Sequence, residues 1–158
     1  MTIELALNPD FADFLRELAN ANVEYLVVGG YAVAAYGHQR ATKDIDIFFR
    51  PSGENAQRLL AAIAAFGAPT HGASADDLAT PGLIVQLGVP PRRIDLINAI
   101  AAVSFDDALA GHKVLKLAGV DVPVIGFEPL LENKRGAGRP VDLDDVKQLM
   151  KLRMLGVR

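Results

Sequence analysis

Apolar positions recur along the chain with two periods, and the switches between them predict the order of elements. Asn8-Pro9-Asp10 reads as a helix start, an N-cap followed by proline at the first helical position. Phe11, Phe14, Leu15 and Leu18 then repeat at i, i+3, i+4 and i+7, one apolar stripe that Asn20 to Asn22 ends. Leu26 to Val28 is a short apolar run, β-branched at its end, and predicts a buried strand. Gly29-Gly30 breaks that run. Tyr31 to Tyr36 is Ala-rich and predicts about two helical turns, with Gly37 where a C-cap would sit. Asp44-Ile45-Asp46-Ile47-Phe48-Phe49 alternates. This predicts a strand with Ile45 and Ile47 on one face and Asp44 and Asp46 together on the other.

The second half continues the pattern. Ser52 caps a helix over Gly53 to Phe66, with Leu59, Leu60, Ile63 and Phe66 on its buried side and Gly67 at its end. Thr70 to Pro81 is small and polar, and Ser74 followed by Asp77 fits a capping box of a short helix. Leu83 to Leu87 and Arg93 to Ile97 predict a hairpin across Gly88 to Arg92. A short helix over Phe105 to Ala110 follows. Next come strands Val114 to Leu117 and Val122 to Ile125, turned by Gly119-Val120-Asp121. Phe127 to Arg135 predicts a helix broken by Gly136-Ala137-Gly138, and a last helix begins at Val141 or Asp142 and runs past Leu152. The expected fold class is α/β (α+β): a mixed, twisted sheet of about five or six strands with helices mainly on one side. The expected organisation is a single domain over 1–158.

Composition narrows the setting. With 158 residues and just over half of them hydrophobic, the chain can bury a sizeable core. Cysteine is absent, which excludes disulfides and thiolate metal sites. No apolar run approaches the ~20 residues that span a bilayer, and the start Met-Thr-Ile-Glu-Leu lacks a signal-peptide pattern. The expectation is therefore a cytoplasmic protein without membrane attachment. A net charge of −3 argues against a general nucleic-acid binder. The C-terminal end differs: from Asn133 onward there are seven Lys or Arg against three Asp. His38, His71 and His112 are scattered, none with a second His or Glu at ligand spacing, so a zinc site is not expected.

Candidate chemistry concentrates on acids. Two carboxylates projecting from one strand face repel each other, and a cation between them removes that cost. Magnesium suits such hard oxygen ligands and commonly joins carboxylates to phosphates. Asp95, between Ile94 and Leu96, is a costly choice on a strand unless it has a task or faces solvent. Gly29-Gly30 does not extend to G-x-G-x-x-G, and there is no G-K-[ST], so neither a dinucleotide fingerprint nor a P-loop is present. Gly29 and Gly30 would let phosphates approach the backbone, and Arg40, Thr42 and Lys43 would contact phosphate or base.

The run from Val28 to Ile47, Gly-Gly followed by Asp-x-Asp on the next strand, resembles the active-site signature of the polymerase-beta-like nucleotidyltransferase superfamily. The whole chain, including the ending Asn133-Lys134-Arg135-Gly136-Ala137-Gly138-Arg139-Pro140-Val141-Asp142-Leu143, is similar to small bacterial nucleotidyltransferases related to abortive-infection (AbiEii-type) toxins. The resemblance implies the nucleotidyltransferase fold and transfer of a nucleoside monophosphate from an NTP. It implies two Mg²⁺ ions held by Asp44, Asp46 and a third carboxylate, for which Asp95 is the candidate. It also implies that Lys134 contacts the triphosphate and that Asp142 orders the site. From the residues alone, Lys134 equally suits a helix C-terminus, and Asp142 a helix N-cap. The acceptor hydroxyl is left open between an RNA or tRNA end, a protein side chain and a small molecule, and the same kinship extends to a toxin–antitoxin component. The small size favours a partner chain or a homodimer. The alternative is a non-catalytic nucleotide-binding or partner-binding module that retains the fold.

Overall fold

The computed structural model describes residues 8–39, 44–89 and 92–156. Seven helices and six strands follow one another among them: α1 (Pro9–Asn20), β1 (Tyr25–Val28), α2 (Gly29–Ala35), β2 (Ile45–Phe49), α3 (Gly53–Phe66), α4 (Ala75–Ala79), β3 (Ile84–Leu87), β4 (Ile94–Ile97), α5 (Phe105–Leu109), β5 (Lys113–Leu117), β6 (Val120–Val124), α6 (Phe127–Ala137) and α7 (Pro140–Met154). The strands form one six-stranded mixed sheet in the order β3-β4-β2-β1-β6-β5. Sequential neighbours β1–β2, β3–β4 and β5–β6 pair antiparallel, whereas β2–β4 and β1–β6 pair parallel. This is the α/β fold with a mixed sheet that the hydrophobic pattern implies.

Burial explains the sheet's layering. Every residue of central β1 is buried, so both of its faces are covered. The outer strands β3 and β5 alternate buried or half-buried positions with exposed ones, so each keeps one face open. Helices α1 and α3 pack through Phe14 and Phe66, whose rings meet edge to face at 5.1 Å. Phe48 of β2 lies against Phe105 of α5, edge to face at 5.3 Å. Two buried asparagines pin connections to the sheet. Asn55 bonds Glu24 through both its backbone groups and the Arg50 carbonyl. Asn98 accepts from the N–H groups of Gly82 and Leu83 and donates to the carbonyls of Leu78 and Thr80.

Four details depart from the sequence reading. Gly29-Gly30 ends β1 as read, but α2 begins at Gly29 rather than at Tyr31. The β5–β6 turn is Ala118-Gly119, because both adopt positive φ (50° and 80°), as a two-residue hairpin turn requires; Val120 and Asp121 belong to the strand. Helix α6 continues through Gly136, where a Cβ would come within 2.7 Å of the Ala102 methyl; this glycine serves close packing, and the left-handed cap is Gly138. Helix α7 starts at Pro140, a residue whose fixed φ suits a first helical position. The remaining boundaries shift by a residue, and the Ser74–Asp77 capping box forms as read.

Candidate active site

Pairing across three strands gathers the acids. Val28, the last residue of β1, sits opposite Asp46, so the chain turns into α2 directly beside that carboxylate. The turn has room only for glycine. Gly29 adopts φ +68°, and a Cβ there would overlap an Asp46 carboxylate oxygen and stand 3.0 Å from its carbon. On the other side, the parallel register places Asp95 of β4 level with Asp46 of β2. Their side chains project from one face, close enough for the Asp95 carboxylate to raise that of Asp46. Asp44 stands just before β2, not in it as the alternation predicts, and its charge still reaches Asp46.

The electrostatics follow from crowding. Burial pushes the Asp46 carboxyl up from 3.8 to about 6; the Asp95 and Asp44 carboxylates add to the rise, and Lys134 opposes it. Arg93 compensates two of the acids. Its Nε and Nη2 donate to the two oxygens of Asp95 at 2.7 and 3.1 Å. Its backbone N–H donates to Asp44 Oδ1 at 3.0 Å, and Nη2 lies 3.5 Å from Asp44 Oδ2. Sequence reading passed over Arg93, although the two-residue spacing to Asp95 already puts both on one strand face.

A second charged cluster lies beside the first. Lys134 of α6 is buried, with its ammonium 3.3 Å from Asp142 and 3.2 Å from Asp145, both fully buried on α7. Arg139 grips Asp142 through Nε and Nη2 (2.7 and 3.1 Å) and also donates its backbone N–H. Asp142 therefore caps α7 and pairs with Lys134 at once. Burial opposes its charge, but Arg139 and Lys134 outweigh that and hold the carboxyl below its usual range. His38 Nε2 stands 3.8 Å from Asp145. Asp145 escaped the sequence reading; its signal is the i, i+3 spacing from Asp142 and i, i+4 to buried Leu149, which sets a charge on a buried stripe.

Of the residues singled out from sequence, Gly29, Asp44, Asp46 and Asp95 thus come together, with Gly30 in the adjoining turn and Lys134 close enough for its charge to act on Asp46. Arg40, Thr42 and Lys43 lie outside the described residues. Among the described residues, no three carboxylates or imidazoles converge at metal-binding distances. The donor set itself, hard oxygens around an acid that burial and its neighbours push up, suits a divalent ion such as Mg²⁺, and Arg93 stands between two of its members. No helix among these residues is long and apolar enough to cross a membrane. A cavity of about 540 Å³, lined by Tyr36, Lys113, Phe127 and Arg153 among others, lies at the far end of α2 from Gly29.

A sequence model of a family described as nucleotidyl transferase of unknown function (DUF2204) matches residues 8–156. No curated protein matches the chain in sequence. Among solved structures, the chain is similar to the lincosamide antibiotic adenylyltransferase LnuA in its lincomycin-bound form (TM-score 0.57, 18% identity, covering 91% of this chain and 96% of that one). It is similar to the antibiotic-resistance factor ANT(2'')-Ia (TM-score 0.60, 18% identity, 90% and 81%). A third is an antigenic nucleotidyltransferase-like protein of Paracoccidioides brasiliensis (TM-score 0.54, 19% identity, 87% and 72%). At these identities the likeness is one of fold.

Proposed function

The chain belongs to the DUF2204 family of nucleotidyl transferases, and on that premise we propose that Asp44, Asp46 and Asp95 form its reaction centre, transferring a nucleoside monophosphate from an NTP to the hydroxyl of a small molecule. The observation that carries this is the register that sets Asp95 beside Asp46, with Asp46 packed against a turn that only glycine fits. The triphosphate approaches the backbone of Gly29 and Gly30, where no side chain stands in the way. Lys134 adds positive potential from beside the acids, and Arg40, Thr42 and Lys43 are the further candidates for phosphate or base. Asp44, Asp46 and Asp95 would hold two Mg²⁺ ions, which when bound neutralise phosphate charge and lower the pKa of the attacking hydroxyl.

Asp95 lies on the far side of Asp46 from the glycine turn, since β4 and β1 flank β2. The acceptor therefore enters over β4. Its oxygen attacks the α-phosphorus in line, the bond to the bridging oxygen breaks, pyrophosphate leaves over Gly29-Gly30, and the hydroxyl proton passes to Asp95. A small-molecule acceptor is supported by the fold shared with two antibiotic-modifying proteins, one of which spans nearly the same length. Residues 1–158 then act as one domain, in the cytoplasm. A protein or RNA acceptor, as a toxin–antitoxin component would use, is the competing outcome of an acceptor screen.

The test is calorimetric titration of ATP, GTP, CTP and UTP with and without Mg²⁺, beside Asp44→Ala/Asp46→Ala. Metal-dependent binding that the double variant loses is expected. Undiminished binding in a folded double variant would remove these acids from the reaction.

A further inference from the structure

Arg93 engages the same oxygens that a metal would need. Its fork takes both oxygens of Asp95, and its remaining reach goes to Asp44. A two-pronged bond of this kind takes one in-plane lone pair on each oxygen, two of the four sites through which the carboxylate can hold a metal. Arginine does not lose its proton in a protein, so it cannot become neutral to make room. A dication and a guanidinium cannot share Asp95 at contact distance without strong repulsion. Two other described cations nearby are engaged elsewhere: Lys134 is held by Asp142 and Asp145, and Arg139 by Asp142.

The surroundings allow the side chain to leave while the backbone stays. The Arg93 carbonyl accepts from Ile45 N–H at 3.1 Å, and its N–H donates to Asp44, so the main chain is fixed to the start of β2. The side chain, by contrast, is 27% exposed.

Resting on the proposed function, we infer that Arg93 is a resident counter-ion of Asp95 in the three-acid site, which a metal must displace, so that Arg93 lowers the metal affinity of the nucleotide-free protein. Once displaced, the guanidinium stays within a side chain's length of the acids, at the side over which the acceptor enters. Metal loading and the freeing of a cation at the acceptor's entrance are then one event.

The test is Mn²⁺ binding to the full chain without nucleotide, read from the electron paramagnetic resonance signal of free Mn²⁺. Wild type, Arg93→Gln, Arg93→Ala and Asp46→Asn are compared, each with its thermal melt. Removing the competing cation is expected to tighten Mn²⁺ binding about tenfold in both Arg93 variants, the order of one half-exposed charge-assisted pair. Asp46→Asn is expected to abolish it. Equal or weaker binding in a folded Arg93→Gln, with Asp46→Asn still abolishing it, overturns this inference alone. Mn²⁺ binding that Asp46→Asn leaves intact overturns the assignment of the metal site as well, and with it this inference.

Discussion

Replacing Asp46 by asparagine should stabilise the metal-free protein at alkaline pH and leave it unchanged in acid. Burial and the Asp95 and Asp44 carboxylates, against Lys134, raise the Asp46 carboxyl from 3.8 to about 6. The folded state thus holds this proton more tightly than the unfolded chain does. The stability so gained is fully present below about pH 3.8 and is lost as the pH climbs through about 6. At ~1.4 kcal/mol per pH unit between the two values, the loss amounts to about 3 kcal/mol once the pH is well above 6. Asparagine has the shape of the protonated acid and cannot ionise. Urea unfolding in EDTA, at intervals from pH 4 to pH 8, reads the difference directly. The Asn variant should match wild type near pH 4, pull ahead through pH 6 and lead by about 3 kcal/mol at pH 8. Adding Mg²⁺ at pH 8 should raise wild type and not the variant. A difference that is absent at pH 8, or constant across the range, would refute the claim that Asp46 is ionised at a cost in this fold.

Two further substitutions probe the neighbours. Gly29→Ala puts a Cβ into the Asp46 carboxylate and an L residue at φ +68°; it should cost about 1–2 kcal/mol in a thermal melt and weaken Mg²⁺-dependent nucleotide binding more than tenfold in calorimetry, and wild-type binding would show that the site makes no use of this close approach. Lys134→Met leaves Asp142 and Asp145 buried without their ammonium; the expected loss is about 3–5 kcal/mol, a fall of roughly 10 °C in melting temperature, and a loss below about 1 kcal/mol would mean that the cluster is not held by this pair.

How far the site was legible depends on how local each signal is. Asp46 and Asp95 each lie in a stretch whose period of two sets their direction before any partner is known. What the stretch cannot give is that β2 and β4 run parallel and in register, which is a matter of strand order. The lysine was harder. Lys134 meets Asp142 and Asp145 only because α6 ends at Gly138 and α7 folds back along it, and Asp145 shows no mark in sequence beyond its place on a buried stripe. Gly136 misled for a related reason: its demand comes from Ala102, far away in the chain, whereas a glycine read locally means a break. Asp44 misled slightly, because strand alternation was extended one residue beyond the point where its carboxylate turns to accept from Arg93.

The two charged clusters differ in balance, and that difference assigns their parts. Among the described residues, Asp44, Asp46 and Asp95 gather around Arg93, while Lys134 and Arg139 meet Asp142 and Asp145 one to one. A crowd of carboxylates attracts cations, whereas a buried cluster of paired charges chiefly fixes geometry. Lys134 is thus first a strut between α6 and α7. Its charge reaches Asp46 through space, lowering a carboxyl that burial and its neighbours raise. Its ammonium gives two of its three N–H donors to Asp142 and Asp145, so a phosphate could take the third without either aspartate being released. Holding the wall of the site in place and lending a donor to a phosphate over Gly29-Gly30 are therefore compatible parts for Lys134.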